Sequence, residues 1–384
     1  MDSETPPPAL PTEPVVDFET ASGSTEPPEE PYRGLRWIFI GDQGLRVFWS
    51  LAFFIVLFAA FNIAFAFVFS KMHLVARMGG TLSPRVAFYG ELAQFLSLLA
   101  AAGLTALVER RRILDYNLRG PHPGTRFSSG LVSGFIALSL LVGGLAFGGW
   151  LHFGPTALSG SQIAIYAAIW AGVFLMVGCV EEGVMRCFLL FTLARGINFW
   201  WAVSLVGAMC LNLILRARGN GVWGVYAIAL LGLAPCLWLH LKRSEGAGFW
   251  QAAWVTSAFF GFGHTGNHGE NWIGIFAAAF IGFVFCVSVR VTGSAWWAIG
   301  CHASWDWGET YLYGTPDSGM VAQGHYLTST LAGPPFWSGG ANGPEGSILV
   351  LPVCLLLLAA LLVIYGRRQP VALSAGAADQ AAAG

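Results

Sequence analysis

The sequence contains few charged side chains. Of its 384 residues, only 11% are Asp, Glu, Lys or Arg, whereas 55% are hydrophobic and another 49 residues are Gly. An ordinary soluble domain carries roughly 25% charged residues. So few charges could not cover a water-facing surface, and a mean hydropathy of +0.61 is typical of a chain that lies largely in lipid. The composition excludes a soluble globular protein and predicts an all-α, polytopic membrane helical bundle.

Lys and Arg are absent from the first 30 residues, which hold eight of the acidic residues. This segment is rich in Pro, Glu, Ser and Thr and has no apolar run, so it cannot bury enough surface to offset the entropy of ordering. It also lacks the basic start and apolar region of a signal peptide. We predict a disordered acidic tail over residues 1–34, and a first apolar run that remains as a signal anchor.

The sequence also lacks the CxxC spacing of zinc knuckles and redox sites, and its seven Cys residues all lie in apolar segments. Such cysteines behave as small buried hydrophobes. They indicate neither a disulfide framework nor a zinc site. We assign no cofactor and no metal.

The sequence contains many long apolar runs. A helix needs about 20 mostly apolar residues to cross the hydrocarbon core of a bilayer. This length gives ten candidates, so we expect about 8–10 transmembrane helices. The candidates that start at Phe199 and Phe249 are the shortest, and each also fits a re-entrant or interfacial segment. The ten candidates are residues 47–70, 86–108, 129–151, 162–193, 199–215, 222–241, 249–264, 272–289, 294–312 and 348–365.

Basic residues cluster at alternate ends of these candidates, for example at Arg110 to Arg112, at Arg195 and at Lys242. With ten spans, these clusters lie on the same side as the N-terminus. The positive-inside rule therefore predicts that both termini are cytoplasmic. Gly130 and Gly134 have GxxxG spacing, which we interpret as a site of close helix packing.

Charged side chains inside the apolar runs are few, and each costs about 2.5–3.5 kcal/mol or more at the bilayer centre. The strongest cluster is Glu181, Glu182 and Arg186. Arg186 lies four residues after Glu182 on the same helix face, so the two can form an ion pair. Glu181 points elsewhere and has no counter-ion in its own helix. A purely structural ion pair explains Glu182 and Arg186 as well as a catalytic role does, but it does not explain Glu181.

Two further features carry imidazoles. Phe260 and His264 are i,i+4 neighbours, as are His302 and Asp306, so each pair shares one helix face. Either pair alone is compatible with simple packing, and the segment around His264 lacks the Glu of the HExxH zinc-protease motif. Together with Glu181, these groups are the components needed to activate a water molecule and to stabilise an oxyanion away from bulk solvent.

The three features resemble the CPBP family of intramembrane peptidases, which includes the type II CAAX-prenyl endopeptidases and abortive-infection-like proteins. The family motifs EExxxR, FxxxH and HxxxN or HxxxD match Glu181–Arg186, Phe260–His264 and His302–Asp306, in the same order. The resemblance covers roughly residues 162–312. Two departures are an apparent extra hairpin near residues 199–241 and an Asp at position 306, where many relatives carry Asn.

The resemblance implies an endopeptidase in which Glu181 activates water with the help of His264. His302 and Asp306 would then stabilise the oxyanion, with Glu182, Arg186 and Phe260 supporting the site. An ionised Asp306 would repel an oxyanion, so it is either protonated or it orients His302. Older views of the family invoked a metal and later ones do not, and no metal is required by these residues.

Hydropathy, together with the resemblance over residues 162–312, gives the expected organisation, and the resemblance implies the partners. Residues 1–34 form the tail, 35–158 the N-terminal membrane helices, 159–313 the peptidase-like core, 314–346 a Gly- and Pro-rich loop, and 347–384 the last helix and C-terminal tail. The loop could cover a cavity or be merely irregular. We expect a bacterial plasma-membrane protein that contacts lipid and a peptide or protein substrate but no nucleic acid. The resemblance suggests a prenylated, CAAX-like protein as one form of that substrate. A non-catalytic chaperone or immunity protein, and less readily a transporter, are the alternatives.

Overall fold

A computed structural model describes residues 36–41, 44–74, 81–216, 221–242 and 246–366 of the chain. The predicted acidic tail, residues 1–34, and the C-terminal tail after residue 366 lie outside these ranges. The chain divides into two units, Met1–Gly44 and Leu45–Gly384. In the first, the described residues form a short helix, Arg36–Phe39, and the strand Ile40–Gly41. Apart from the short strand Gly44–Leu45, which begins at the last residue of the first unit, the elements discussed below belong to the second unit.

The second unit is a helical bundle, as the composition predicts. Within the described ranges, each of the ten predicted apolar segments is helical. The main helices are α1 (Val47–Lys71), α2 (Pro84–Glu109), α3 (Pro123–Phe147), α4 (Ser161–Glu182), α5 (Phe199–Arg216), α6 (Gly221–Lys242), α7 (Ala247–Gly263), α8 (Trp272–Thr292), α9 (Trp296–Trp307) and α10 (Val350–Tyr365).

Six helical segments are long and apolar enough to cross a membrane. They are α1, α2, α3, α5, α8 and the continuous helix Ser161–Ala194, in which α4 is extended by the π-helical stretch Gly183–Leu189 and by Leu190–Ala194. The other helices have shorter apolar stretches, such as Ala227–Lys242 within α6 and Val350–Tyr365. Ten apolar helical segments are thus present, and among the described residues six of them meet the length and hydropathy of a full span.

Large apolar side chains cover the outer surface of this unit. Phe147 is 97% exposed, Leu107 is 74% exposed and Val363 is 71% exposed. Water would penalise such exposure, whereas lipid tails would solvate these side chains. The surface therefore fits an integral membrane protein.

Close packing of α3 against α9 places the third motif. A Cβ atom on Gly130 would lie 2.1 Å from the carbonyl oxygen of Trp297, and one on Gly134 would lie 2.1 Å from that of Cys301. From the other side, a Cβ on Gly300 would lie 2.2 Å from the carbonyl oxygen of Phe127. Only glycine permits this backbone approach, so the GxxxG pair holds the helix that carries His302 and Asp306.

The loop over residues 314–346 is ordered by strand pairing. Its strand Leu327–Leu331 is antiparallel to Leu151–Thr156, which follows α3. Its strand Val321–Ala322 is parallel to Thr81–Leu82, which precedes α2. The loop is therefore tied to two other interhelical connections at the same end of the bundle. The remaining short elements are Gly44–Leu45, Ile113–Asp115, Gly308–Leu312, His264–Gly266, Pro335–Ser338 and Pro344–Gly346.

Candidate active site

The first motif lies where α4 passes into its π-helical extension. Arg186 and Glu182 are both fully buried, and their Nε and Oε2 atoms are 3.1 Å apart. Arg186 Nη1 also donates to Glu182 Oε1 at 3.2 Å. The guanidinium lies 4.4 Å from the ring centre of Phe260 and 5.3 Å from that of Phe285. The ion pair expected from the helical spacing is present, and the first contact joins the first motif to the second.

His302 links the first motif to the third. Its Nδ1 lies 2.8 Å from Glu182 Oε1, so the N–H at this position donates to the carboxylate. Its Nε2 faces two other carboxylates, with Asp306 Oδ2 at 3.4 Å and Glu181 Oε2 at 3.7 Å. The Glu182 contact was missed by the sequence reasoning, which paired Glu182 only with Arg186. Glu182 therefore holds both the Arg186 guanidinium and the His302 ring.

His264 is fixed by its own helix. Its Nδ1 lies 2.7 Å from the carbonyl oxygen of Phe260, and the two rings are 4.7 Å apart. A carbonyl oxygen can only accept, so Nδ1 carries the proton in this contact. In the neutral ring, Nε2 is then the atom with a free lone pair. The orientation leaves His264 able to accept a proton or a hydrogen bond through Nε2.

One cavity of about 330 Å³ brings all four predicted catalytic residues together. Glu181, His264, His302 and Asp306 all line it, and so does the half-buried Glu91 on α2. The side chain of Glu181 is 40% exposed, whereas that of Glu182 is fully buried. Of the two adjacent carboxylates, Glu181 is therefore the one accessible to a substrate. The apolar part of the wall includes Val173, Phe174, Val177, Ala277 and Ile281.

The cavity also contains acidic residues that the sequence reasoning did not select. Glu270 follows α7, and Asp317 and Glu345 belong to the 314–346 loop. A signal was available, because Asp317 and Glu345 are the only Asp, Glu, Lys or Arg residues in that loop. Burial raises the pKa of Glu270 and of Asp317 above the usual range, and burial with repulsion from Asp317 raises the pKa of Glu345 to about 8.

The loop 314–346 thus forms part of the cavity wall. Of the two interpretations of its composition, a loop at a cavity and a merely irregular connection, the structure favours the first. Ser318, Met320 and Asn342 of the loop also line the cavity. Among the described residues, no group of three or more His, Cys, Asp or Glu side chains is arranged to hold a metal ion.

Comparison with known protein families gives a match over part of the chain. Residues 235–308 match a family model described as type II CAAX prenyl endopeptidase Rce1-like. The match contains Phe260–His264 and His302–Asp306, but it does not reach Glu181–Arg186. It confirms the predicted relationship to the CAAX-type protease family. No curated protein and no solved structure matches the chain.

Proposed function

We propose that this chain, an integral membrane protein related to the CAAX-type protease family, is an intramembrane endopeptidase that uses Glu181 and His264 to activate water. The convergence of Glu181, His264, His302 and Asp306 on one cavity supports this proposal most strongly. These residues come from three helices separated by up to 125 positions in the chain, and packing alone gives no reason for them to meet in an apolar bundle.

In the proposed reaction, Glu181 is the general base. A water molecule between Glu181 and His264 loses a proton to the Glu181 carboxylate as its oxygen attacks the carbonyl carbon of the scissile peptide bond. The tetrahedral intermediate then collapses, the C–N bond breaks, and the proton passes from Glu181 to the leaving amine. His264, held by its bond to the Phe260 carbonyl, orients the water through Nε2.

His302 stabilises the oxyanion in this proposal. Its Nδ1–H is held by Glu182, and Glu181 and Asp306 face its Nε2, so three carboxylates surround the ring and favour the imidazolium form. In that form Nε2 also carries a proton, and it can donate to the developing charge. Asp306 Oδ2, 3.4 Å from that Nε2, orients the ring rather than contacting the oxyanion. Arg186 balances the charge of Glu182, which holds His302, and it also contacts Phe260 on the helix that ends at His264.

The proposed substrate is a membrane-associated peptide or protein, and a prenylated CAAX-like C-terminus is one form that fits. The apolar wall formed by Val173, Phe174 and Val177 can bury an apolar segment, while the carboxylates and imidazoles surround the bond to be cut. The proposed location is the bacterial plasma membrane, with both termini cytoplasmic.

The test compares membrane peptides in cells that make the wild-type chain or the Glu181→Gln variant. The amide preserves size but cannot accept the proton. The proposal expects uncut substrates to accumulate in the variant, with cleavage products found only in the wild type. Identical peptide profiles at equal protein levels would contradict it.

A non-catalytic binding protein is the second candidate, and the observation that favours it is Asp306. Two carboxylates already face His302 Nε2, so an oxyanion has to compete with them for this donor. If Glu181→Gln and His264→Ala left the cellular function of the chain unchanged, the binding function would replace the catalytic one.

A further inference from the structure

The acidic side chains of this protein are concentrated around one cavity. The described ranges contain ten Asp and Glu residues, and six of them line it. No Lys or Arg is among the described residues of its wall. The proposed chemistry uses only two of the six, Glu181 and Asp306. The six are Glu91, Glu181, Glu270, Asp306, Asp317 and Glu345.

The proposed chemistry leaves four of these carboxylates without a role, and three of the four each accept a hydrogen bond from a neighbouring donor. The Trp305 indole N–H donates to Glu345 at 2.9 Å, the Thr310 hydroxyl donates to Asp317 at 2.7 Å, and the Asn342 amide donates to Glu270 at 2.9 Å. Glu345 is repelled by both Asp317 and Glu270. The fold therefore keeps like charges close together, which destabilises the folded state. We expect these carboxylates to have a function that accounts for this arrangement.

Unsatisfied acceptors occur in the cavity wall, at Asn342, and beside it, at Glu309. Asn342 is 1% exposed and lines the cavity, and its Oδ1 has no hydrogen-bond donor among the described residues. Its NH₂ group must face Glu270, since a carboxylate only accepts, so the amide cannot be reversed to remove this deficit. Glu309 is fully buried beside Glu345, sharing the Trp305 N–H, and its Oε1 also lacks a donor.

Both unsatisfied atoms are acceptors, and a buried acceptor without a donor destabilises the folded state. A ligand that completes this region must therefore bring N–H or O–H donors, and the carboxylates favour one that also carries positive charge. Ammonium and guanidinium groups have both properties.

We propose that Glu270, Asp317, Glu345 and the Oδ1 of Asn342 form a subsite for the side chain of a Lys or Arg residue in the peptide substrate. The inference rests on the proposed peptidase function, since it assigns part of the substrate of that same cavity. Asp306 interacts electrostatically with Asp317 and Glu345 and also contacts His302. The basic residue would therefore bind close to the catalytic groups and fix the position of the peptide chain beside Glu181.

The test measures binding and cleavage separately. The full-length Glu181→Gln variant in an uncharged detergent is titrated with two fluorescent apolar peptides that differ only by Arg or its neutral isostere citrulline. We expect the Arg peptide to bind at least about tenfold more tightly, the difference typical of a charge-assisted hydrogen bond. Adding Asp317→Asn and Glu345→Gln should reduce this ratio to about twofold or less.

Asp115→Asn is the matched control, because Asp115 pairs with Arg119 outside the cavity. It should leave the Arg-to-citrulline ratio unchanged. Equal binding of the two peptides to the Glu181→Gln variant would overturn the subsite, and this comparison stands even if the added substitutions unfold the protein. Loss of the Arg preference on adding Ca²⁺, with Ca²⁺ bound stoichiometrically, would overturn it in favour of a metal site.

The wild-type chain tests the reaction itself on the same peptides. Cleavage of both peptides at equal kcat/KM would leave the peptidase proposal intact and contradict the basic subsite. Preferential binding of the Arg peptide without any cleavage would support the basic subsite and contradict the peptidase proposal.

Discussion

Replacing Arg186 by Met tests the network that holds the site together. Arg186 and Glu182 are both fully buried, so the substitution leaves a carboxylate in an apolar core without its main counter-ion. Removing one partner of a buried ion pair costs about 3–5 kcal/mol. The loss of the guanidinium contacts with the Phe260 and Phe285 rings further destabilises the folded state. We expect the midpoint of thermal unfolding to fall by roughly 5–15 °C.

Native cysteines provide the assay. Six of the seven are buried, so a thiol-reactive dye reports their exposure as the protein unfolds in detergent. Arg119→Met is the matched control, because Arg119 also pairs with an acidic residue four positions away, Asp115, but its side chain is 61% exposed. Exposed pairs contribute about 0–1 kcal/mol, so this midpoint should move little.

The double variant Glu182→Met/Arg186→Met separates charge from packing. Removing both charges should recover much of the lost stability, because apolar side chains of similar volume often replace a buried pair without penalty. Recovery should be incomplete, since His302 then loses the acceptor of its Nδ1 proton. If Arg186→Met shifted the midpoint no further than Arg119→Met, the ion pair would not hold the site as argued.

Three other predictions follow from the same contacts. Asp306→Asn should keep peptide cleavage within about tenfold of wild type, whereas Asp306→Leu should lose about 100-fold or more. The reason is that only the amide can still orient His302 through a hydrogen bond. The measurement is kcat/KM of the two variants and the wild type on one peptide. Gly134→Ala should lower stability by about 1–3 kcal/mol, because its Cβ would lie 2.1 Å from a carbonyl oxygen of α9; Gly143→Ala on the same helix, where no atom lies within 4 Å, should not lower it. The pKa of Glu345, raised by burial from 4.5 to about 8, means that the folded state holds this proton more tightly than the unfolded state. Its stabilising contribution is therefore greatest below about pH 4.5 and is lost as the pH rises through about 8, so the unfolding midpoint should fall across this range and Glu345→Gln should flatten the profile.

The parts of the site that the sequence predicted depend on local helix geometry. The i,i+4 spacing of Glu182 with Arg186 and of His302 with Asp306 determines which side chains share a face, and scarce charge in apolar runs makes these residues conspicuous. Length and hydropathy predicted ten apolar helical segments in the same way. Among the described residues, six of these segments are long and apolar enough to cross a membrane.

The parts that the sequence missed depend on contacts between distant segments. The Glu182 to His302 bond joins residues 120 positions apart, and no helical periodicity reports such a pairing. Asp317 and Glu345 reach the cavity because strand pairing ties their loop to the connections that precede α2 and follow α3. That pairing uses backbone groups, which carry little sequence signal.

The most direct test of the account compares peptide cleavage by purified wild-type chain and by Glu181→Gln in the same detergent. The account predicts that the variant keeps the wild-type unfolding midpoint, within about 2 °C, and loses at least about 100-fold in kcat/KM, as expected when a general base is removed. Cleavage by the folded variant at a rate within a few-fold of wild type would contradict the role of Glu181 and, with it, the proposed mechanism.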